Sequence, residues 1–182
     1  MAASGGILIF EAGDGVEVSH NAVDANDVGI WVIGAHHATV EHNEATNSTF
    51  DGIALDNQNI FTAGLTTEQN IVRHNDAKGN GEGIGLFSAN SNLIEKNHAI
   101  GNAGSGFVAS YECDFQVGPP CTVLQPSSSG NLFDGNHASD NGAFGFFDDS
   151  SGGGTSGTAN TYVRNRCKGN ISGSSSPNGL CK

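Results

Sequence analysis

The hydrophobic and polar positions of this 182-residue chain follow a short pattern that recurs six times. Each copy has an apolar residue, two variable residues, an Asn, one variable residue and a small residue. The six Asn residues of this pattern are Asn21, Asn43, Asn75, Asn97, Asn136 and Asn165. The shortest interval between two of them, from Asn21 to Asn43, is 22 residues. That interval fits one solenoid coil of three short strands and is too short for a repeat of two helices.

Other positions recur in the same register as this Asn. A second Asn follows five residues later in five of the six copies, and Ser48 takes its place in the remaining copy. All copies but the last then run into a Gly followed by Ile or Phe, at Gly29, Gly52, Gly83, Gly106 and Gly145. Alternating apolar residues after each Gly predict strands with one buried face. Asn tolerates the left-handed backbone of a sharp corner, and stacked coils would place Asn over Asn in a hydrogen-bonded ladder.

The repeated Asn and Gly columns resemble those of secreted bacterial proteins with right-handed parallel β-helix repeats, broadly the pectate-lyase-like architecture. The resemblance covers nearly the whole chain and implies an all-β, single-stranded right-handed parallel β-helix of about six coils, each with three short strands. It also implies secretion. It implies no particular reaction, because solenoids of this shape include lyases, hydrolases, epimerases and plain binding proteins.

We expect one β-helix domain over residues 1–182, in which residues 166–182 form a C-terminal cap closed by a disulfide and are similar to the terminal cap of uncharacterised members. The N-terminal end looks truncated or uncapped, because Gly6 already begins a core strand. Unpaired backbone at such an end needs a partner. We therefore expect either that the chain is the C-terminal part of a longer β-helix, or that its open end pairs with another chain, as in a homodimer.

The four cysteines predict an oxidising environment. Cys113 and Cys121 flank one loop, and Cys167 and Cys181 flank the C-terminal tail, so locality predicts two disulfides and a secreted or extracytoplasmic protein. The alternative is four free thiols. The sequence shows neither a signal peptide nor an apolar run of membrane-spanning length, and we expect no membrane partner.

Composition and charge narrow the classes of partner. The chain has 27 Gly and only 4 Pro, which suits an all-β protein with many tight corners. The net charge of −12, with 7 Lys and Arg residues, argues against nucleic-acid binding, which needs a basic footprint. An acidic surface suits divalent cations or neutral sugars.

The first strand of each coil has an outward face that is too apolar for bare solvent. The chain inserts extra residues after this strand, at about 56–69, 110–127 and 148–158, and such loops commonly carry function. Three interpretations stay open: the insertions cover the face, the face is a ligand groove, or it is a subunit contact. Its candidate sugar-stacking residues are Trp31, Phe87, Tyr111 and Phe147.

Acidic residues near the insertions are the candidates for chemistry. The carboxylates are Asp56, Glu112, Asp114, Asp148 and Asp149, of which the four aspartates are the catalytic candidates. Two of them could act as the acid and the base or nucleophile of glycoside hydrolysis. Asp148 and Asp149 are also the candidates for a Ca²⁺ site, the only cofactor that the sequence suggests. The alternative is that these carboxylates are only solvated by water or stabilise turns.

A column of corner residues runs through His20, His42, His74, Lys96 and Arg164. Neighbouring His residues at coil spacing could bind a transition metal, or they could be mostly neutral corner residues.

Three functions therefore remain. The favoured one is a non-catalytic secreted module that binds a polysaccharide or cell-surface glycan through the first-strand face. The alternative is a polysaccharide lyase or glycoside hydrolase that uses carboxylates from the insertions. A purely structural spacer is the third.

Overall fold

A computed structural model describes residues 4–57, 66–112 and 124–182. Its strands form three parallel sheets, and the chain visits the sheets in turn. The first sheet holds β1 (Gly5–Phe10), β4 (Val28–Ile33), β7 (Asp51–Asp56), β10 (Glu82–Phe87), β13 (Phe107–Ser110), β16 (Phe144–Asp148) and β19 (Gly173–Ser176). The second sheet holds β2 (Glu17–Ser19), β5 (Thr39–Glu41), β8 (Ile71–Arg73), β11 (Leu93–Glu95), β14 (Leu132–Asp134) and β17 (Thr161–Val163).

The third sheet completes each coil. It holds β3 (Ala22–Asp24), β6 (Glu44–Thr46), β9 (Asp76–Lys78), β12 (His98–Ile100), β15 (His137–Ser139) and β18 (Arg166–Lys168). Every pair of neighbouring strands in the three sheets is parallel. The predicted solenoid of six coils with three short strands each is confirmed, and β19 adds a seventh strand to the first sheet.

Equivalent side chains stack directly over one another inside the solenoid. Ile30 pairs with Ile53, which pairs with Ile84, which pairs with Phe107, and all four are buried. The Phe107 ring stacks on Phe146 with centroids 4.5 Å apart. Stacking of this kind gives a continuous apolar core in a chain of modest hydrophobicity.

The Asn ladder is present as the repeat predicts. Asn97 Oδ1 accepts hydrogen bonds from the backbone N–H of Asn75 at 2.9 Å and from Asn75 Nδ2 at 3.0 Å. Asn97 Nδ2 in turn donates to Val72 O at 2.9 Å and to Asn136 Oδ1 at 3.1 Å. The Asn97 side chain thus satisfies two buried backbone groups of the preceding coil.

The corner before each ladder Asn has a left-handed backbone. His42 and His74 have φ values of 55° and 54° there, and Gly135 takes the same position with φ 66°. Stacking the corners also stacks the imidazoles: the His20 and His42 rings are 5.1 Å apart, and the His42 and His74 rings are 5.0 Å apart.

The C-terminal tail folds back onto the last coil, where Lys182 N donates to Asn165 O and Lys182 O accepts from Cys167 N. β18 and β19 lie in residues 166–182, and a disulfide joins Cys167 to Cys181, as predicted. Leu180, beside this disulfide, is 2% exposed and belongs to the apolar core. The predicted Cys113–Cys121 pair lies outside the described residues. Within the three described segments, no helix is long and apolar enough to cross a membrane.

Candidate functional site

The outward face of the first sheet is covered unevenly. Leu8 and Phe10 in the first coil are exposed. Ala54 and Val108 in the central coils are buried, although the alternation of inward and outward residues places them on the same outward face. A cavity of about 270 Å³ opens between these regions. We call it the first-sheet cavity; its aromatic and acidic lining residues are Trp31, Phe50, Phe87, Asp51, Asp56 and Glu112.

One aromatic wall of the cavity is anchored by a carboxylate. Trp31 Nε1 donates a hydrogen bond to Asp56 Oδ2 at 3.2 Å, and Asp56 is 4% exposed. The end of β7 is fixed at the same point, because Thr67 Oγ1 donates to the Asp56 carbonyl oxygen at 2.7 Å. The indole is therefore held in a defined orientation with part of its surface open.

The second aromatic wall depends on a glycine. Gly85 lies outward in β10, between the buried residues Ile84 and Leu86. A Cβ atom at position 85 would lie 2.5 Å from Cε2 of Phe87 and 2.8 Å from Asp51 Oδ1. The Phe87 ring and the Asp51 carboxyl group thus occupy the space that a side chain at Gly85 would fill.

Asp51 reaches the outward face because the alternation of β7 is interrupted at its start. A Cβ at Gly52 would contact Ala77 Cβ at 2.9 Å, so Gly52 faces the interior, as does the next residue, Ile53. Two successive inward positions leave Asp51 on the same side of the sheet as Asp56. A strict alternation of inward and outward residues along the strand does not predict this interruption.

The Asp51 carboxyl group is in an unusual setting. The residue is 8% exposed, and its Oδ1 has no hydrogen-bond partner in the described part of the chain. Burial raises the pKa of Asp51 to about 8, and the negative charges of Glu82 and Glu112 add to the increase. Burial also raises the pKa of Glu82, the residue paired with Asp51 in β10. The Asp51 carboxyl is therefore largely protonated at neutral pH.

Three of the predicted site residues, Trp31, Phe87 and Asp56, meet in this cavity. Tyr111 is exposed beside it, and Phe147 lies further along the sheet, against Phe144. Sequence reasoning grouped Glu112 with the acids but missed Phe50 and Asp51. One signal was available for Asp51: aligning the Gly column places Asp51 and Glu82 in equivalent positions before Gly52 and Gly83, hence side by side.

The structure separates the other predicted carboxylates. Asp148 is 4% exposed, and its Oδ2 accepts hydrogen bonds from Tyr162 OH at 2.9 Å and Asn160 Nδ2 at 3.0 Å, so it lies at the end of an interior Asn ladder. Its neighbour Asp149 is exposed and accepts from Ser127 Oγ at 2.7 Å. The two carboxyl groups therefore lie on opposite faces of β16. Asp114 lies outside the described residues.

Within residues 4–57, 66–112 and 124–182, no three His, Cys, Asp or Glu side chains converge as metal ligands. The Ca²⁺ site at Asp148 and Asp149 stays a prediction.

These features define a parallel β-helix protein with a cavity on the outward face of its first sheet. Residues 5–179 match the family described as right handed beta helix region, and the chain belongs to that family. This confirms the predicted right-handed solenoid. No curated protein matches the sequence.

Several solved structures share the fold. The A-module of mannuronan C-5 epimerase AlgE4 from Azotobacter vinelandii is 16% identical, with a TM-score of 0.64 over 92% of this chain and 55% of that chain. The AlgE6 A-module from the same organism is 15% identical, with a TM-score of 0.58 over 90% and 51%. The periplasmic alginate epimerase AlgG is 18% identical, with a TM-score of 0.52 over 93% and 44%. At these identities the likeness shows the fold, and the chain spans about half the length of these structures.

Proposed function

We propose that the first-sheet cavity binds a segment of an uncharged polysaccharide outside the cytoplasm. The observation that carries this proposal is the combination of two oriented aromatic rings, Trp31 and Phe87, with carboxyl groups in one open cavity. Aromatic faces provide a rigid apolar surface for the C–H face of a sugar, and the carboxyl groups provide hydrogen bonds for its hydroxyls. The Cys167–Cys181 disulfide supports the extracytoplasmic location.

Charge favours neutral glycans over polyuronates. All seven Lys and Arg residues lie in the second and third sheets, at their corners or at the C-terminal residue, and none lies in a strand of the first sheet. The cavity instead contains Asp51, Asp56 and Glu112. A polymer with a carboxylate on every sugar would meet like charge there and no cation. The proposed ligand therefore differs from the mannuronan and alginate that appear in the names of the similar structures.

The binding experiment compares glycans and variants. We expect the protein to be retarded in native gels that contain a neutral polysaccharide, tested with laminarin, dextran, xyloglucan and galactomannan, but not with polymannuronate or polygalacturonate. Trp31→Ala and Phe87→Ala should each weaken binding by about tenfold or more, because each removes a stacking surface. Leu132→Ala, which removes exposed apolar surface from the second sheet, is the matched control and should bind normally.

Preference for the polyuronates, or equal retardation of all three variants, would contradict the proposal. Passage through every gel without retardation would favour a structural spacer.

A glycoside hydrolase is the second candidate, favoured by one observation. Asp51 and Glu112 line the same cavity, and the Asp51 carboxyl is held in its acid form while the negative charge of Glu112 acts on it. One protonated and one ionised carboxyl is the arrangement that hydrolysis of a glycosidic bond requires. Release of new reducing ends from a polysaccharide that binds, abolished by Asp51→Asn and by Glu112→Gln, would establish this activity. Binding without reducing ends would leave the protein a non-catalytic module.

A further inference from the structure

The Asp51 carboxyl group is the polar group of the first-sheet cavity to which the fold supplies the fewest hydrogen bonds. Its Oδ1 lies beside the Phe87 ring over Gly85 and receives no hydrogen bond from the described part of the chain. By contrast, Asp56 in the same cavity accepts a bond from the Trp31 indole. A buried polar atom without a partner is costly, and more costly when its group is charged, so this setting favours the neutral acid form of Asp51.

The charged groups that face Asp51 are all acidic. Asp56 lies on its own strand, Glu82 on β10 and Glu112 after β13. β4, the neighbour on the other side, has no titratable residue between Val28 and Ile33. The Asp27 carboxylate just before β4 accepts hydrogen bonds from Ser4. Ionisation of Asp51 would add one more negative charge to this group without a cation to offset it.

We infer that Asp51 acts as a neutral carboxylic acid that donates a hydrogen bond to a hydroxyl or ring oxygen of the bound sugar, and so makes the binding of an uncharged glycan depend on pH. This inference rests on the proposed function and names a contact through which the cavity holds its ligand. The acid form presents both a donor and an acceptor, which matches a sugar hydroxyl. The carboxylate form has no donor.

The test uses an amide as a donor that does not titrate. With the neutral polysaccharide that the gels retain best, wild-type affinity should fall about tenfold between about pH 6 and pH 10, as Asp51 loses its proton. Asp51→Asn should bind equally at both pH values, because the Asn amide keeps an N–H. Asp51→Leu, which has no donor, should bind weakly at both. Asp140→Asn, which removes an exposed carboxyl next to β15 of the third sheet, should keep the wild-type profile.

A wild-type profile that is flat over this range, or that Asp51→Asn shares, would overturn the inference while leaving glycan binding intact. Absence of binding to every neutral polysaccharide at both pH values would overturn the proposed function and the inference with it.

A second readout needs no glycan. A carboxyl whose folded-state pKa is raised holds its proton in the native protein but loses it in the unfolded chain between about pH 4 and pH 8. Wild-type stability should therefore fall with rising pH across this window relative to Asp51→Asn. We expect the melting temperature of Asp51→Asn to exceed that of wild type by a margin that widens from pH 4 to pH 8. A margin that stays constant would mean that Asp51 ionises normally, and would overturn the inference whatever the gels show.

Discussion

Single residues hold the coils together through buried amide groups. The side chain of Asn97 makes four hydrogen bonds with residues on the two neighbouring coils, and the residue is fully buried. Removing the amide takes a hydrogen bond from the backbone N–H of Asn75 and from the carbonyl of Val72. Buried groups that lose their partners dominate the cost of such a change.

We expect Asn97→Ala to lower the free energy of unfolding by about 1–3 kcal/mol, as measured by urea denaturation. The matched control is Asn178→Ala, at an exposed position in the C-terminal tail, which should change it by less than about 0.5 kcal/mol. An equal and negligible effect of both substitutions would contradict the structural role assigned to the ladder.

The repeated Gly near the start of the first-sheet strands lies very close to the backbone of the neighbouring coil. A Cβ at Gly83 would lie 2.3 Å from the carbonyl oxygen of Gly106 and 2.8 Å from Ala99 Cβ. The repeat of this Gly is evident in the sequence, but its physical reason is not. It requires the distance between β10 and β13, which only the stacked coils define.

Gly83→Ala should therefore destabilise the protein by several kcal/mol, on the order of other substitutions that overpack a buried site. The clash is with backbone atoms, which cannot rotate away as a side chain can. Gly13→Ala is the control, because a Cβ there would meet nothing within 4 Å. Thermal denaturation of the two variants tests this; a Gly83→Ala melting temperature equal to that of Gly13→Ala would show that the coils are less closely packed than described.

The site was harder to predict than the fold, because the repeat identifies the inward residues of each strand but not the residues that form the cavity. Each strand of the solenoid is recognisable because its inward residues repeat in every coil, as Ile30, Ile53 and Ile84 do. Strict alternation places Asp51 on the same face as Ile53, and this is wrong because Gly52 and Ile53 both face inward. Alternation also does not predict that Asp148 joins an interior ladder, because its partners are distant in sequence: Asn160 directly precedes β17 and Tyr162 lies in it.

For the whole molecule, the first-sheet cavity combines residues from four successive coils. Trp31 comes from β4, Asp51 and Asp56 from β7, Phe87 from β10 and Glu112 from the segment after β13. The sequence predicted the apolar outward face and two of its aromatic residues, because these follow from the repeat. It could not predict the depth of the cavity, because that depends on how side chains from four different coils pack around it.

We propose that a neutral polysaccharide occupies this cavity, and the fluorescence of the single Trp of the chain tests this directly. Trp31 lies in the cavity wall, so its fluorescence reports occupation of this site and of no other. Titration with the neutral polysaccharide that retards the protein should change Trp31 emission saturably, with a midpoint that shifts to higher concentration in Phe87→Ala. Emission that stays constant while the polysaccharide demonstrably binds would place the ligand elsewhere on the molecule and contradict binding in the first-sheet cavity.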